Sequence, residues 1–314
     1  MTSYRQVHNA ICPREGCRLL FMAALVAFAG CWLEKRNAMD FTTLTYSVGG
    51  FPETTQILTI KANGQARYVS HTNEHFLDRP EIGVYETILD RNAFRSLKDI
   101  FDQGPLAQLP DHTGKIPKGI ATKMITVVTP TAEIVKKVSH ADPIDPRLQK
   151  ILDHLDGLAL EIMKYPRAVL QVEIASPELS PPGNLLVNFK LSNVGSEELW
   201  FRSPQDIVRL KDGWVRIEIW PAVPEPGSMW SEQKVFVEPT SVEPVSVAGV
   251  QSGNVIFLLR PKETMQFKLK GLFNGKSGSK YVARVDYGNV QDKIENKAPI
   301  VGEVWTKTTE FAFP

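Results

Sequence analysis

The hydrophobic rhythm of the chain changes at Pro166, and that change limits the fold more than any other feature. Before it, Leu148, Ile151, Leu152, Leu155, Leu158 and Ile162 recur at helical spacing and make one broad apolar stripe. After it, helical spacing disappears. Segments 169–175, 185–192, 198–202, 214–220, 235–238, 255–260, 265–270, 281–287 and 304–313 are short, strand-like and separated by Pro, Gly, Ser and Asn. Pro166 cannot continue the hydrogen-bond ladder of a helix. The sequence thus predicts an α+β domain over 41–165, then an all-β sandwich without helices over 166–314.

Inside the first unit, 41–48, 56–61, 65–70 and 84–89 read as strands. Ala62-Asn63-Gly64 separates two of them, and Asn-Gly between such runs is a strong hairpin signal. Asp90 can cap a helix whose face carries Phe94, Leu97, Ile100 and Phe101. A Pro- and Gly-rich loop covers 104–119, and 124–129 with 133–139 form a second hairpin. Asp145-Pro146 pairs a capping residue with Pro at the first helical position. The expected result is an antiparallel sheet with two helices on one face.

The second unit resembles bacterial immunoglobulin-like modules. Leu191-Ser192-Asn193-Val194-Gly195 is similar to their strand ending in Asn. Leu259 to Glu263, with Tyr281-Val282-Ala283-Arg284-Val285, is similar to their final hairpin. The resemblance implies an architecture and no catalytic residues. In the first unit, Tyr46-Ser47-Val48-Gly49-Gly50-Phe51 looks like the opening of emfourin-type inhibitors of thermolysin-like metalloproteases. A turn with one core aromatic explains the same residues.

The N-terminus gives a location. Arg5, Arg14 and Arg18 precede an uncharged apolar run over 19–30 that closes on small residues, the order of a secretory signal. The run falls short of the roughly 20 apolar residues of a transmembrane helix. Phe28-Ala29-Gly30-Cys31 resembles the lipobox of bacterial lipoproteins, with Phe28 in place of the usual Leu. That resemblance implies a diacylglyceryl group on the Cys31 sulfur and cleavage before Cys31. Residues 1–30 are then the signal peptide and 31–40 a tether. Cys12 and Cys17 would leave with the signal, and Cys31 would be the single cysteine kept. Two or more acyl chains hold a protein stably to a membrane, whereas one does not. The expected place is the bacterial envelope, at the outer membrane facing the periplasm or the cell surface, because Trp32 is not the Asp of inner-membrane retention.

Composition removes some function classes. Without Arg5, Arg14, Arg18 and Glu15, the 36 basic and 35 acidic residues become 33 and 34. A near-neutral chain with no basic stripe exerts no electrostatic pull on nucleic acid. Gly271-Leu272-Phe273-Asn274-Gly275-Lys276-Ser277 ends like a phosphate-binding loop. It has one residue too few between its glycines, and a strand follows it, so 275–278 reads as a β-hairpin turn and no nucleotide site is expected.

Chemistry is sparse. His71-Thr72-Asn73-Glu74-His75 offers two histidines four apart, yet it follows a strand and puts Thr72 where a metalloprotease has Glu. Asp111-His112 and His140-Ala141-Asp142 lie in loops, where Asp and His commonly cap or turn the chain. His154 flanks the helical stripe and reads as a surface residue. No catalytic residue, metal or cofactor is expected. The binding candidates are Met229 and Trp230, in a Pro-rich insertion over 221–233, with a second long apolar loop over 239–253. Exposed Trp is a usual interface anchor. The sequence therefore reads as a lipid-anchored envelope protein with a binding or structural role and a possible protein partner there. An envelope protease inhibitor is the alternative, and a metal-dependent hydrolase comes third.

Overall fold

The structure is a computed structural model. It describes residues 41–49, 54–73, 78–103, 106–109, 122–139, 144–180, 183–223, 233–246, 250–252, 256–294 and 297–313. The fold is mostly β, with antiparallel sheets and three α-helices among the described residues.

The chain begins with four strands, β1 (Thr43–Gly49), β2 (Thr54–Lys61), β3 (Gln65–Ser70) and β4 (Glu81–Ile88). Helix α1 (Arg91–Gln103) follows, then β5 (Thr122–Val128), β6 (Glu133–Ser139) and α2 (Pro146–Ile162). Both capping signals act as expected. Asp90 Oδ1 accepts from the Asn92 and Ala93 amides, each at 2.8 Å, and Asp145 accepts from the Arg147 amide. The loop joining β2 and β3 has three residues, and only Gly64 in it takes a positive φ, +83°. It is therefore a turn closed by one left-handed glycine, whereas a two-residue Asn-Gly turn would need both residues there.

After Pro166 come β7 (Pro166–Ile174), β8 (Glu178–Ser180), β9 (Asn184–Asn193) and β10 (Leu199–Arg202). Helix α3 (Pro204–Leu210) then leads to β11 (Gly213–Pro221), β12 (Val235–Val237), β13 (Ser241–Ser246) and β14 (Val250–Ser252). The last strands are β15 (Ile256–Leu259), β16 (Thr264–Leu272), β17 (Lys280–Asn289), β18 (Gly302–Trp305) and β19 (Thr309–Ala312).

Three expectations are corrected here. First, the second half contains a helix. Pro204 sits in its first turn, and Lys211 ends it in the left-handed region at φ 56°. Arg202, at the end of β10, and Asp206 of the helix, both buried, form an ion pair at 3.1 Å. Second, 239–253 is not simply a loop, since β13 pairs with β16 and β14 with β15. Pro244 fits because β13 is an edge strand, where a missing N–H faces outward. Third, β16 and β17 are consecutive but do not pair. β16 lies between β9 and β13, whereas β17 pairs with β11, β18 and β19. Segment 273–279 thus carries the chain between sheets, and the Phe273 ring meets Tyr281, Phe311 and Phe313 there.

One sheet runs through both halves in the order β13-β16-β9-β7-β4-β3-β2-β1-β5-β6. Its centre is the β4–β7 pair, on either side of Pro166. Gly83, at φ +143°, makes that approach possible, because a Cβ there would lie 2.2 Å from the Ala168 carbonyl oxygen. Two hydrophobic clusters flank the pair. One joins the helices α1 and α2 to inward residues of β1–β5, including Leu44, Leu58, Tyr68 and Ile125. The other joins β7, β9 and β16 to the five-stranded sheet β12-β11-β17-β18 with β19, through Phe189, Phe267, Ile217, Val285 and Tyr287. Each cluster borrows across the pair: Ile82 of β4 belongs to the second and Val169 of β7 to the first.

Candidate functional site

The outer face of the five-stranded sheet gathers the most functional groups. Along β11, Val215, Ile217 and Ile219 point into the core, so Trp214, Arg216, Glu218 and Trp220 take the opposite face. The register sets their neighbours. Trp214 lies opposite Gly288, Arg216 opposite Asp286, Glu218 opposite Arg284 and Trp220 opposite Val282. Strand β18 places Glu303 beside Gly288 and Trp305 beside Asp286, while β12 places Phe236 beside Glu218. Three of the six tryptophans of the chain therefore share one face.

Gly288 lets the Trp214 indole lie across β17. A Cβ at Gly288 would sit 2.1 Å from that ring. In this position the indole Nε1–H donates to Asp286 Oδ1 and to Glu303 Oε1, each at 3.0 Å. Arg216 Nη2 lies 2.5 Å from Asp286 Oδ2 and 3.4 Å from Glu303 Oε1. One guanidinium thus faces two carboxyl groups. Asp286 has no exposed surface. Burial, and then the Glu303 charge, push its pKa up to about 8, and the opposing pull of Arg216 does not cancel them.

A second ion pair sits one row away. Buried Glu218 Oε2 accepts from Arg284 Nε at 2.6 Å and from Lys234 Nζ at 3.0 Å. The cations also cover the rings. The Arg284 guanidinium carbon is 5.7 Å from the Trp220 centroid and 5.3 Å from that of Trp305. Arg216 stands 5.7 Å from Trp214 and 5.0 Å from Phe236. Such contacts add about 0.5–1 kcal/mol each when exposed. The face is therefore rigid, aromatic and nearly neutral. Asp286 is wholly buried, out of reach of a bound molecule, so its carboxyl acts on the fold.

Met229 and Trp230 lie outside the described residues. The strands flanking their insertion are β11 and β12, which border this same face. At its two feet Val223, Val235 and Phe236 are 79%, 47% and 53% exposed. Cys31, Gly50, Phe51, Glu74, His75, Asp111, His112, His140 and Asp142 also fall outside the described residues. His71 is described, and its Nδ1 lies 3.0 Å from the Val301 carbonyl oxygen, a structural contact. Tyr46 is buried and donates to Asp156 on α2 at 2.6 Å, so it serves the core. His154 is half-buried, contrary to its reading as a surface residue, and burial lowers its pKa. Among the described residues, no group of three or more His, Cys, Asp or Glu could hold a metal ion. None of the described helices is long and apolar enough to cross a membrane.

The cluster of Trp214, Arg216, Asp286 and Glu303 was not among the sequence candidates. Its signal is the alternation over 214–220, which puts two tryptophans, an arginine and a glutamate on one face of a strand. No family model matches the chain, and no curated protein matches it.

Proposed function

We propose that the protein is a non-catalytic binding component of the bacterial cell envelope, anchored by a lipid on Cys31. An α+β unit over 41–165 would lead to an immunoglobulin-like β-sandwich over 166–314, whose β11–β12 edge meets a protein partner. The observation that supports this most is the exposure of Val223, Val235 and Phe236 where the insertion holding Met229 and Trp230 leaves and rejoins the aromatic face. Exposed apolar side chains at the edge of an aromatic face, with Phe236 on that face, are what an interface hot spot needs.

Two experiments test the reading. The detergent-purified chain should retain a specific envelope protein, and Phe236→Ala or Trp230→Ala should each weaken retention about tenfold or more without lowering the melting temperature. Equal retention by both variants would rule out this edge as the interface. The anchor is tested separately. Cys31→Ser is expected to abolish labelling with radioactive palmitate and to leave the chain unprocessed or released from membranes. Unchanged labelling in that variant would refute lipidation at Cys31.

A further inference from the structure

A groove of about 950 Å³ opens where the outer face of β2–β4 meets a wall formed by 164–167 and Ser196. It is independent of the aromatic face and of the reading built on it. The wall is fixed to the floor by backbone bonds. The Glu86 amide of the floor donates to the Tyr165 carbonyl at 3.2 Å, and within the wall the Ser196 amide donates to the Pro166 carbonyl at 3.3 Å.

The lining is cationic. Lys61, Arg67, Lys164 and Arg167 face it, against one carboxylate, Glu86. Glu86 is already held between Arg67 and Arg167. Outside the lining, Arg167 also reaches Glu197 at 2.8 Å and Lys164 reaches Glu161 at 2.7 Å. Even with these two acids counted, Lys61 remains without an ion-pair partner among the described residues. The cations of these pairs are exposed, and exposed ion pairs are weak enough for the cation to turn to a ligand.

The uncharged polar groups of the lining are unengaged. The hydroxyls of Thr59, Thr87 and Ser196 and the side-chain amide of Gln65 make no hydrogen bonds to other described groups. The Tyr165 ring is 54% exposed at the rim, beside exposed Ile88. A molecule suited to this lining carries negative charge and many hydroxyls. It also offers an apolar ring face to Tyr165 and is larger than a single inorganic ion. We propose that the groove binds an acidic saccharide, a sugar ring bearing a carboxylate or a phosphate.

The test is titration calorimetry on the purified full chain with digalacturonate and glucose 1-phosphate, with maltose and inorganic phosphate as controls. At least one acidic sugar is expected to bind, with affinity falling as salt rises, and the better of the two identifies the acid group. Lys61→Glu should weaken that binding about tenfold or more. Tyr165→Ala should weaken it about threefold or more, since a single stacking contact is worth that much. Both residues are surface-exposed, so an unchanged melting temperature confirms intact folds. Absence of binding by either acidic sugar at roughly 1 mM overturns the proposal. So does binding by inorganic phosphate as strong as by the sugars, or full binding by Lys61→Glu.

Discussion

The melting temperature is expected to fall as pH rises from about 7 to about 9, and Asp286→Asn is expected to remove most of that fall. Asp286 is wholly buried, and its pKa is raised to about 8 from an ordinary 3.8. In the unfolded chain it loses its proton near the ordinary value. The folded state thus binds more protons between the two values, and stability declines as pH rises through that window. The contribution is present in full below the ordinary pKa and is gone above the raised one. The lower part of the window is mixed. Burial depresses the His154 pKa, which makes stability rise with pH near its ordinary value, and burial raises Glu81 in the same sense as Asp286. Above about pH 10 the buried tyrosines, Tyr46, Tyr68 and Tyr287 among them, would add their own decline. Between about 7 and 9, Asp286 dominates. An Asn at 286 can accept from the Trp214 indole without titrating, while its amide nitrogen replaces the oxygen that pairs with Arg216. The variant should therefore be less stable than the wild type at neutral pH but melt at nearly constant temperature over that range. A wild-type slope that persists in Asp286→Asn would show that the proton resides elsewhere.

Most elements of this fold were legible because they rest on local signals. The stripe from Leu148 to Ile162 is buried residue by residue as its spacing requires, and Asp145 caps it. The alternation over 214–220 marks a strand with one apolar and one polar–aromatic face, and β11 spans it. Long-range choices were not legible. Which sheet β17 joins depends on whether segment 273–279 turns back or crosses, and either path satisfies the local sequence. The aromatic contacts of Phe273 with Tyr281, Phe311 and Phe313 favour the crossing, and they link residues far apart in the chain. Helix α3 did leave a trace. Ser203-Pro204 is a helix-start signature, but seven residues carry too little periodicity to stand out among strands.

The candidate site divides in the same way. A sequence reader can find Trp214, Arg216, Glu218 and Trp220 as one face. Nothing local announces that Asp286 will lie opposite Arg216, or that Gly288 will leave room for an indole. Those facts follow from a register set over nine paired positions of β11 and β17. A slip by one residue would turn Asp286 into the core and Tyr287 out of it. The His71-Thr72-Asn73 segment makes the complementary point. Its residue types offered a metal ligand set whose Glu74 and His75 lie outside the described residues, and the side chains of His71 and Asn73 meet backbone groups of 301–305 and of Arg79.

That segment carries the second large effect. Asn73→Ala is expected to cost about 2–4 kcal/mol of unfolding free energy. Asn73 is 1% exposed. Its Oδ1 accepts from the Trp305 amide at 2.9 Å, and its Nδ2 donates to the carbonyls of Trp305 at 2.9 Å and Arg79 at 3.1 Å. The side chain thus completes the backbone pairing of β18, an outer strand of its sheet, from the far half of the sequence. Alanine would leave an amide and a carbonyl of Trp305 without those partners, and each unsatisfied buried group costs about 1–3 kcal/mol. Asn73→Asp separates this account from simple packing. It preserves the volume and the acceptor but loses the donor, and it sets a carboxylate oxygen against two carbonyl oxygens. It should therefore destabilise as much as alanine or more. Next to it, Gly302→Ala tests the same seam through the backbone. Gly302 has φ +139°, and a Cβ there would sit 2.1 Å from the His71 carbonyl oxygen, so β18 could not keep its place beside residue 71. Denaturant titration of the three variants should show lowered midpoints. If Asn73→Asp were as stable as the wild type, the amide donor would carry no weight, and the seam would rest on the Asn73 acceptor and on the backbone contacts of His71 and Thr72 with 301–303.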